Sequence, residues 1–399
     1  MKHIGLLISA MNSGGAERVV SHLTHILNRD YHVHLILFED TYMEYSCAGR
    51  IHNLNVPAEK GNVYVKLKLL KQRIQRLKVL IREEKLECVV SFLDTPNFVN
   101  LLAKVPGCRK VISIRNYSSL ENSRSMIGAL TNIAMKLLYK RADCVVPVTK
   151  LIEKDFHENY GISLNKLHTI YNPYNFEDMH EKGSVPLKPE EQSFFDSGFV
   201  FVNVGRIMYQ KAVWHLVKAF SLVHNQHPDA RLVIVGEDFT KGKLTKLLDD
   251  LNICDCVLLT GRTRNPYQYL QNADCYVLSS LFEGFPNALV EGMACGCAVI
   301  AADCKSGPRE ILFEDVDLNA SLDEITEADY GILVPALEPE ENWDASVITD
   351  GERKLAQAMQ MLLHDPEKRN YYAKCAAVRS RTFDYEAAGK EFSCVIEGK

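Results

Sequence analysis

Two glutamates separated by seven residues lie in the stretch FEGFPNALVEGMACGC, residues 282–297. Glu283 lies in a turn rich in Gly and Pro, and the pattern predicts a helix that begins near Ala288 and carries Glu291. Carboxylate oxygens accept hydrogen bonds from hydroxyl groups, and Glu291 can accept a diol with both oxygens. We therefore interpret the two acids as acceptors for two sets of hydroxyl groups. The alternative is a glutamate at the helix dipole and another on the surface.

Backbone amides in the same stretch offer a second kind of contact. Gly284, Phe285 and Asn287 precede the predicted helix, and Ala288 begins it. Amides at the start of a helix have no partner within the helix and favour an anion. The stretch thus predicts phosphate oxygens bound between the two sets of hydroxyl groups.

Two basic residues follow another predicted strand in VGRIMYQKA, residues 204–212. Arg206 comes directly after the Gly that ends the strand, and Lys211 lies five residues later, where a helix begins. A guanidinium fork and an ammonium point charge can together neutralise a diphosphate. The alternative is a pair of solvated charges on a loop.

Two further turns carry weaker signals. The segment NSGGAER, residues 12–18, lets the backbone approach an anion at Gly15, but it lacks the full G-x-G-x-x-G spacing, and a plain tight turn has the same composition. The segment CKSGPREI, residues 304–311, is a turn to which the sequence alone assigns no role beyond structure.

These turns must be positioned by alternating strands and helices. Short apolar runs such as HIGLLIS, HVHLILF and CVVSFL alternate with helical patterns in the first half, and FVFVNVG, ARLVIVG and AVIAAD do so in the second. Such alternation predicts βαβ units and mostly parallel sheets. The expected fold class is α/β, with two Rossmann-like doubly wound domains facing a cleft, because ligands bind outside the carboxyl ends of such strands.

The domain boundaries follow from where the alternation breaks. The segment YNPYNFEDMHEKGSVPLKP is polar and rich in turn residues. We therefore predict an N-terminal domain over 1–175, a linker over 176–197, a C-terminal domain over 198–370 and terminal helices over 371–399.

Bulk composition excludes several classes of protein. The chain has 399 residues, 47% of them hydrophobic, and a formal net charge of −5, which predicts a folded protein that does not bind nucleic acid. No apolar run approaches the ~20 residues that span a bilayer, so we expect a cytoplasmic protein. The twelve scattered cysteines are expected to be reduced and mostly buried.

The second half resembles the retaining glycosyltransferases of family 4, which have the GT-B fold. The matching pieces are VGRIMYQKAVWHLVKAF, ARLVIVG, NADCYVLSSLFEGFPNALVEGMACGCAVIAAD and SGPREI, in that order. The N-terminal SGGAERVVSHL resembles the donor-facing loop and first helix of a bacterial branch of this family that makes polysaccharides and lipid-linked glycans.

This resemblance implies roles for the candidate residues. Arg206 and Lys211 would contact the diphosphate of a UDP-sugar, Glu291 its ribose and Glu283 the transferred sugar. The amides of the turn and of Ala288 would complete the pocket, and Gly15 would approach the phosphate from the other domain. The terminal helices over 371–399 would cross back to the N-terminal domain. The family implies no metal and no cofactor besides the donor substrate. It also implies front-face attack, in which the leaving phosphate takes the acceptor proton.

Three positions depart from the family pattern. Ala212 stands where a Gly commonly follows the lysine, and GEDFTKGK replaces a glycine-rich turn after ARLVIVG. Arg115 and Asn116 stand near the place of a frequent cleft histidine, and Asp94 is another candidate to orient the acceptor, although a helix N-cap explains it equally well.

A basic segment suggests the acceptor. Residues 63–82 hold seven Lys or Arg and no acid, with apolar residues at helical spacing from Leu67 to Ile81. Basic amphipathic helices favour anionic membranes and lipid-linked phosphates. We expect a polyprenyl-diphosphate-linked saccharide acceptor, as in capsule, O-antigen or protein-glycan synthesis, and a peripheral position on the inner face of the cell membrane. The alternative is a helix that packs its leucines on the sheet.

Two other functions are open at this point. A UDP-sugar epimerase of the same fold would share the donor site but would not need a basic acceptor helix. A non-catalytic sugar-nucleotide binder on a membrane assembly would not need Arg206, Lys211, Glu283 and Glu291 all intact.

Overall fold

The computed structural model describes residues 1–12, 14–39, 43–57, 61–119, 126–315, 317–318 and 320–399. The chain divides into two compact units. The first comprises Met1–Tyr174 and Phe383–Lys399, and the second comprises Asn175–Thr382.

The first unit contains a six-stranded parallel sheet with the order β3-β2-β1-β4-β5-β6. Its strands are β1 His3–Ile8, β2 His32–Leu37, β3 Arg50–Asn53, β4 Cys88–Phe92, β5 Arg109–Ile114 and β6 Cys144–Pro147. Its described helices are α1 Gly15–Leu27, α2 Val63–Glu83, α3 Asp94–Leu102, α4 Met126–Leu138, α5 Lys150–Glu158 and α15 Tyr385–Glu397.

The second unit contains a seven-stranded sheet with the order β12-β13-β11-β10-β7-β8-β9, in which only β12 is antiparallel to its neighbour among the described strands. Its strands are β7 Val200–Val204, β8 Arg231–Val235, β9 Val257–Gly261, β10 Cys275–Leu278, β11 Ala298–Ala302, β12 Thr326–Ala328 and β13 Gly331–Val334. Its described helices are α6 Phe176–Gly183, α7 Pro189–Phe195, α8 Val213–His224, α9 Lys243–Asp250, α10 Tyr267–Gln271, α11 Asn287–Ala294, α12 Pro308–Leu312, α13 Asp350–His364 and α14 Pro366–Ser380.

Helices cover both faces of each sheet, which explains why the central strands are mostly apolar. In the second unit, α8 is buried almost all round and carries polar groups into the core. His215 contacts Glu352 of α13 at 2.8 Å, and Lys218 donates to the Val347 carbonyl at 2.9 Å. These partners satisfy the buried groups and fix α8, which directly follows the loop that carries Lys211.

Two segments differ from the predicted domain boundaries. The residues expected as a linker, 176–197, form α6 and α7 and belong to the second unit. Their polar composition reflects helix starts, because the Asn175 side chain caps α6 and Pro189 is the first residue of α7. At the other end, α14 belongs to the second unit, and only α15 returns to the first.

The basic helix α2 packs its apolar side on the sheet. Leu77 and Ile81 are buried with Phe38 and Ile36, and Leu70 and Ile74 are partly buried against the same cluster. The structure therefore agrees with the alternative given for residues 63–82, a helix that packs its leucines on the sheet, although Leu67 stays exposed. Arg73 also turns inward, where its Nε donates to the Val56 carbonyl at 3.0 Å.

Among the helices in the described part of the chain, none combines the length and the apolar character that a bilayer crossing needs.

Candidate functional site

The candidate site of the second unit lies where the strand order reverses. The chain winds outward from β7 through β8 to β9, and then returns to β10 on the other side of β7. The loops that follow β7 and β10 leave the sheet in opposite directions, so their carboxyl ends border the crevice in which such sheets bind ligands. Lys211 follows β7 and Glu283 follows β10.

Lys211 and Glu283 form an ion pair. The Lys211 Nζ lies 2.5 Å from Glu283 Oε1, and the Ser280 hydroxyl donates to the same oxygen at 2.6 Å. The side chain of Glu283 is 7% exposed, and that of Lys211 is 20% exposed. Glu283 Oε2 receives only a 3.4 Å contact from Gln210 among the described residues. One carboxylate oxygen is thus fully engaged, while the other can still accept a strong hydrogen bond.

Backbone geometry after β7 positions the lysine. A Cβ atom on Gly205 would lie 3.2 Å from Lys211 Cε, so the glycine leaves room for the lysine stem to pass. Ala212 adopts a left-handed conformation with φ +45° and ψ 43°, and the Ser279 hydroxyl donates to the Lys211 carbonyl at 2.9 Å. The left-handed residue explains why a glycine would suit this position.

The turn that carries Glu283 is held by the segment CKSGPREI. The Glu283 amide donates to the Lys305 carbonyl at 2.8 Å, and the Ser306 hydroxyl donates to the Gly284 carbonyl at 2.7 Å. Gly307 has φ +105°, and a Cβ atom there would lie 2.4 Å from Cδ of Pro286. This segment therefore supports the turn that carries Glu283, a role that the sequence alone did not assign to it.

Helix α11 presents the second glutamate. It begins at Asn287, one residue before the predicted start at Ala288, and no side chain caps its amino end in the described structure. Glu291 lies on its buried side and is 2% exposed, so it is not a surface glutamate. Gly292 allows the helix to approach β10 closely, because a Cβ atom there would lie 2.9 Å from Tyr276.

Tyr276 is a site residue that the sequence did not reveal. Its side chain is fully buried in β10, and its hydroxyl has no hydrogen-bond partner among the described residues. Burial raises the pKa of Tyr276 well above its ordinary value, and the charges of Glu283 and Glu291 raise it further. The phenol is therefore neutral and lies near both carboxylates. In the sequence it is one more aromatic residue in a strand, and no signal separates it from core packing.

Arg206 takes no part in the contacts of this cluster among the described residues. Arg206 follows β7 and is exposed, and it makes no hydrogen bond or ion pair with any described residue. Gly284 and Ala288 are partly exposed at the same end of the sheet, whereas Phe285 is buried. Gly15 is the first residue of α1 in the first unit, and its predicted approach to the donor phosphate stays a prediction.

The unusual turn after β8 pairs with the loop after β7. The Ile207 amide donates to the Glu237 carbonyl at 2.9 Å, and the Phe239 amide donates to the Ile207 carbonyl at 3.0 Å. A Cβ atom on Gly236 would lie 1.9 Å from the Gly205 carbonyl oxygen, so only glycine permits this close approach. The turn GEDFTKGK thus braces the loop that carries Arg206.

The first unit carries Arg115 where the sequence suggested an acceptor-orienting residue. Its Nη1 donates to Asn172 at 2.8 Å, while Nε and Nη2 have no hydrogen-bond partner among the described residues. Burial lowers the pKa of Arg115 to about 10. Asp94 begins α3 and accepts a hydrogen bond from the Tyr139 hydroxyl at 3.4 Å.

The cysteines form no disulfide in the described structure, and most of them are buried. Burial, and then the charge of Glu291, raises the pKa of Cys295 to about 12. The thiols near the site are therefore protonated and act as small packing residues.

Family models match both halves of the chain. The model described as Glycosyl transferases group 1 matches residues 185–322, which contain Arg206, Lys211, Glu283 and Glu291. The model described as Glycosyltransferase Family 4 matches residues 13–178.

Curated relatives align over most of the chain. An uncharacterised glycosyltransferase of Methanocaldococcus jannaschii is 31% identical over 342 residues, which are 83% of this chain and 84% of the relative. The N-acetylgalactosamine-N,N'-diacetylbacillosaminyl-diphospho-undecaprenol 4-alpha-N-acetylgalactosaminyltransferase of Campylobacter jejuni is 30% identical over 387 residues, which are 96% of each chain.

A solved structure supports the fold. HepE of Anabaena, crystallised with UDP and glucose, superposes with a TM-score of 0.77 at 17% identity and covers 100% of both chains. The predicted α/β fold of two Rossmann-like domains is confirmed as the GT-B fold. The matching family models and these relatives show that the chain belongs to glycosyltransferase family 4.

Proposed function

We propose that the protein transfers a hexose or N-acetylhexosamine from a UDP-sugar to a polyprenyl-diphosphate-linked saccharide, with retention at the anomeric carbon and without a metal. The observation that carries this proposal is the Lys211–Glu283 ion pair beside the strand switch of the second unit.

The charges of the site suit a diphosphate leaving group. Lys211 has three N–H donors, and one is directed to Glu283, so two remain for phosphate oxygens. Arg206 is exposed at the same end of the sheet and makes no contact with a described residue that would compete for its guanidinium. Together they would stabilise the negative charge that develops on the departing UDP, an effect worth several kcal/mol in comparable sites.

The two carboxylates suit the two sugars of the donor. Glu283 Oε1 is occupied by Lys211 and Ser280, whereas Oε2 can accept a hydroxyl of the transferred sugar. Glu291 lies on the next helix and would accept the ribose diol, while the first amides of α11 would bind phosphate oxygens. A carboxylate held in this way serves as an acceptor for hydroxyl groups, which agrees with a front-face reaction in which the leaving phosphate takes the acceptor proton.

The acceptor assignment is supported by the Campylobacter relative, whose name specifies a saccharide on diphospho-undecaprenol. Such an acceptor is anchored in a membrane, so we propose that the protein works peripherally on the inner face of the cell membrane. The exposed lysines of α2 remain available for anionic lipids, although its leucines pack on the sheet.

Helix α4 supplies the apolar contact that α2 does not. Ile127, Leu130, Ile133 and Leu137 recur at helical spacing and are between 56% and 72% exposed. The opposite side of α4 packs into the unit, where Met135 is fully buried. Lys136 and Lys140 follow on the same segment, and such a pairing of apolar and basic side chains favours a membrane interface.

The proposal is tested by the release of UDP from a panel of UDP-sugars in EDTA, with and without a bacterial lipid-linked oligosaccharide extract. We expect release that depends on the acceptor, and the proton coupling of the product's anomeric carbon then reports whether the α-configuration of the donor is kept. Conversion of the sugar without UDP release would indicate the epimerase, and donor binding without turnover would indicate the non-catalytic binder.

The membrane contact is tested separately by co-sedimentation with anionic phospholipid vesicles. We expect the double variant Ile127→Ser with Leu130→Ser to sediment less than the parent while its UDP release with a water-soluble acceptor stays the same. Val185, which is 48% exposed in the second unit, provides the control substitution Val185→Ser. Equal sedimentation of all three proteins would refute the role of α4.

A further inference from the structure

Histidines of the first unit gather on one face of its sheet. His3 opens β1, His34 is the third residue of β2 and His52 is the third residue of β3. The parallel register places all three side chains on the face that α2 covers, and Glu84 directly follows the last residue of α2. The chain enters β4 four residues later, so the cluster lies toward the amino ends of the strands.

The ring nitrogens of this cluster are close together. His3 Nδ1 lies 2.9 Å from His34 Nε2, and His34 Nδ1 lies 2.9 Å from His52 Nε2. A carboxylate oxygen of Glu84 lies 3.9 Å from His34 Nδ1. One ligand atom each from His34, His52 and Glu84 therefore lie within 4.8 Å of one another. Three potential ligands thus converge from three separate elements of the first unit.

The hydrogen bonds between the rings of His3, His34 and His52 allow a protonation state that suits a bound cation. A neutral imidazole has one N–H, so His34 can donate at only one of its two contacts. If His34 Nε2 donates to His3 Nδ1, the lone pair of His34 Nδ1 points toward His52 and Glu84. Histidines that bind metals usually donate their other ring N–H in this way, which fixes the ring and its tautomer. His3 would thus act as a positioning residue for His34.

We propose that His34, His52 and Glu84 bind a divalent transition-metal ion, with Zn²⁺ the best match. Two imidazoles and one carboxylate are a common ligand set for Zn²⁺, and a water molecule completes the tetrahedron. Ligands at ~2.0–2.1 Å from Zn²⁺ are separated by ~3.3 Å at the tetrahedral angle. The two rings must therefore move apart by a few tenths of an ångström from their present 2.9 Å separation.

The surroundings allow this movement and give the ion a path from solvent. His34 is buried, but His52 lies on the edge strand β3 and is partly exposed. His52 also lines a surface cavity of about 390 Å³ between β3 and α2. Arg50 holds the Glu84 carboxylate at 2.9 Å, and because Arg50 is 68% exposed it can release one oxygen to the ion.

The ion would connect β2, the short edge strand β3 and the end of α2. The site lies toward the amino ends of the strands, whereas ligands of doubly wound sheets bind outside the carboxyl ends. Its role is therefore to stabilise the first unit, and it is independent of the metal-free transfer reaction proposed for the second unit.

The experiment uses the full chain, stripped with EDTA, kept reduced and titrated with Zn²⁺ or Co²⁺. We expect each chain to bind one equivalent of the metal ion tightly, and we expect the melting temperature to rise on addition of Zn²⁺. His52→Ala and Glu84→Gln should each weaken the affinity at least ~10-fold and abolish the rise. His364→Ala is the matched control, because His364 contacts His227 at 2.7 Å and the described residues place no third ligand with that pair.

Two results would overturn the proposal. One is that the His52→Ala and Glu84→Gln variants still bind one equivalent of the metal ion as tightly as the parent protein. The other is a Co²⁺ spectrum with thiolate charge-transfer absorption, because cysteines and not the histidine cluster would then bind the ion. Comparison of the melting temperatures without metal separates loss of the site from misfolding, since a folded variant must begin near the parent value.

Discussion

The two sheets share a topology but differ in the polar groups at their strand switches. The order β3-β2-β1-β4-β5-β6 reverses between β1 and β4, and the order of the second sheet reverses between β7 and β10. Next to β4, the Ser91 hydroxyl donates to Asn97 at 2.7 Å, and Asn97 donates to the Ser113 carbonyl at 3.1 Å. Next to β10, the corresponding place holds the charged pair of Lys211 and Glu283.

This difference separates a structural network from a binding site. The network around Asn97 is neutral and fully buried, and Asn97 donates to a backbone carbonyl, as expected of groups that fix the packing of α3 on β4 and β5. The pair in the second unit keeps one weakly engaged carboxylate oxygen and ammonium protons that a ligand can use. Substitutions in the two clusters should therefore affect different properties.

The largest effect is expected from Glu283→Gln. The amide keeps the size of the side chain but removes the charge that holds Lys211 and that, in the proposed reaction, orients the transferred sugar. We therefore expect UDP release with acceptor to fall by ~100-fold or more. Steady-state turnover of the purified variant measures this. Glu340→Gln changes an exposed glutamate of the same unit and should keep full activity. Near-parental turnover of Glu283→Gln would remove Glu283 from the catalytic site.

Asn97→Ala in the first unit should have the opposite pattern, with a loss of stability and no loss of turnover. Truncation removes the hydrogen bonds that Asn97 makes with the Ser91 hydroxyl and the Ser113 carbonyl, which should lower the free energy of unfolding by about 1–3 kcal/mol. Urea unfolding followed by circular dichroism measures the loss, and turnover of the folded variant should stay unchanged. Both tryptophans, Trp214 and Trp343, lie in the second unit, so their fluorescence should report a smaller shift.

The exposed Asn272 supplies the control for this variant, because Asn272→Ala removes only a bond to the Gln268 carbonyl on the surface of the second unit. If Asn97→Ala reduced turnover as strongly as Glu283→Gln, the distinction between a structural and a binding cluster would be wrong.

The central strands and the two charged turns could be predicted because their signals are local. Apolar runs bounded by Gly and polar residues give β7, β8 and β11, and the turn composition places Glu283 ahead of a helix. Helices α6 and α7 were missed because their starts, Asn175 and Pro189, are residues that also break helices. A polar stretch with prolines can therefore be a linker or a pair of short helices, and only the capping contacts in the structure distinguish the two.

Partners distant in sequence could not be predicted. Lys211 and Glu283 were assigned separate contacts. Their ion pair joins positions 72 apart in the sequence and depends on β7 and β10 being neighbours. Tyr276 and the supporting Ser306 were missed for the same reason, since only the assembled sheet brings them to the carboxylates. Residue types predicted the chemistry of the site, and topology determined which groups share it.

A smaller effect is expected from Tyr276→Phe. This variant tests whether a ligand completes the hydrogen bonds of the groups around Lys211 and Glu283. The hydroxyl has no partner in the described structure, so its removal should leave the free energy of unfolding within about 1 kcal/mol of the parent. If the donor supplies the missing partner, KM for the UDP-sugar should rise while kcat changes little. Thermal unfolding and initial rates measure both quantities. Destabilisation by several kcal/mol would instead show that the hydroxyl is satisfied within the protein.

The smallest effect is expected from Ala212→Gly. Ala212 has φ +45°, a conformation that costs a residue with a Cβ atom roughly 1–2 kcal/mol. Glycine avoids this cost, but it loses more conformational entropy on folding, which offsets part of the stabilisation. We expect the variant to be more stable by up to about 1 kcal/mol, with turnover close to the parent because Lys211 keeps its bonds to Glu283 and Ser279. Ala219→Gly, in the middle of α8, should act in the opposite direction. Equal losses at both positions would mean that the backbone at Ala212 carries no such strain, and that the lysine is positioned by its ion pair alone.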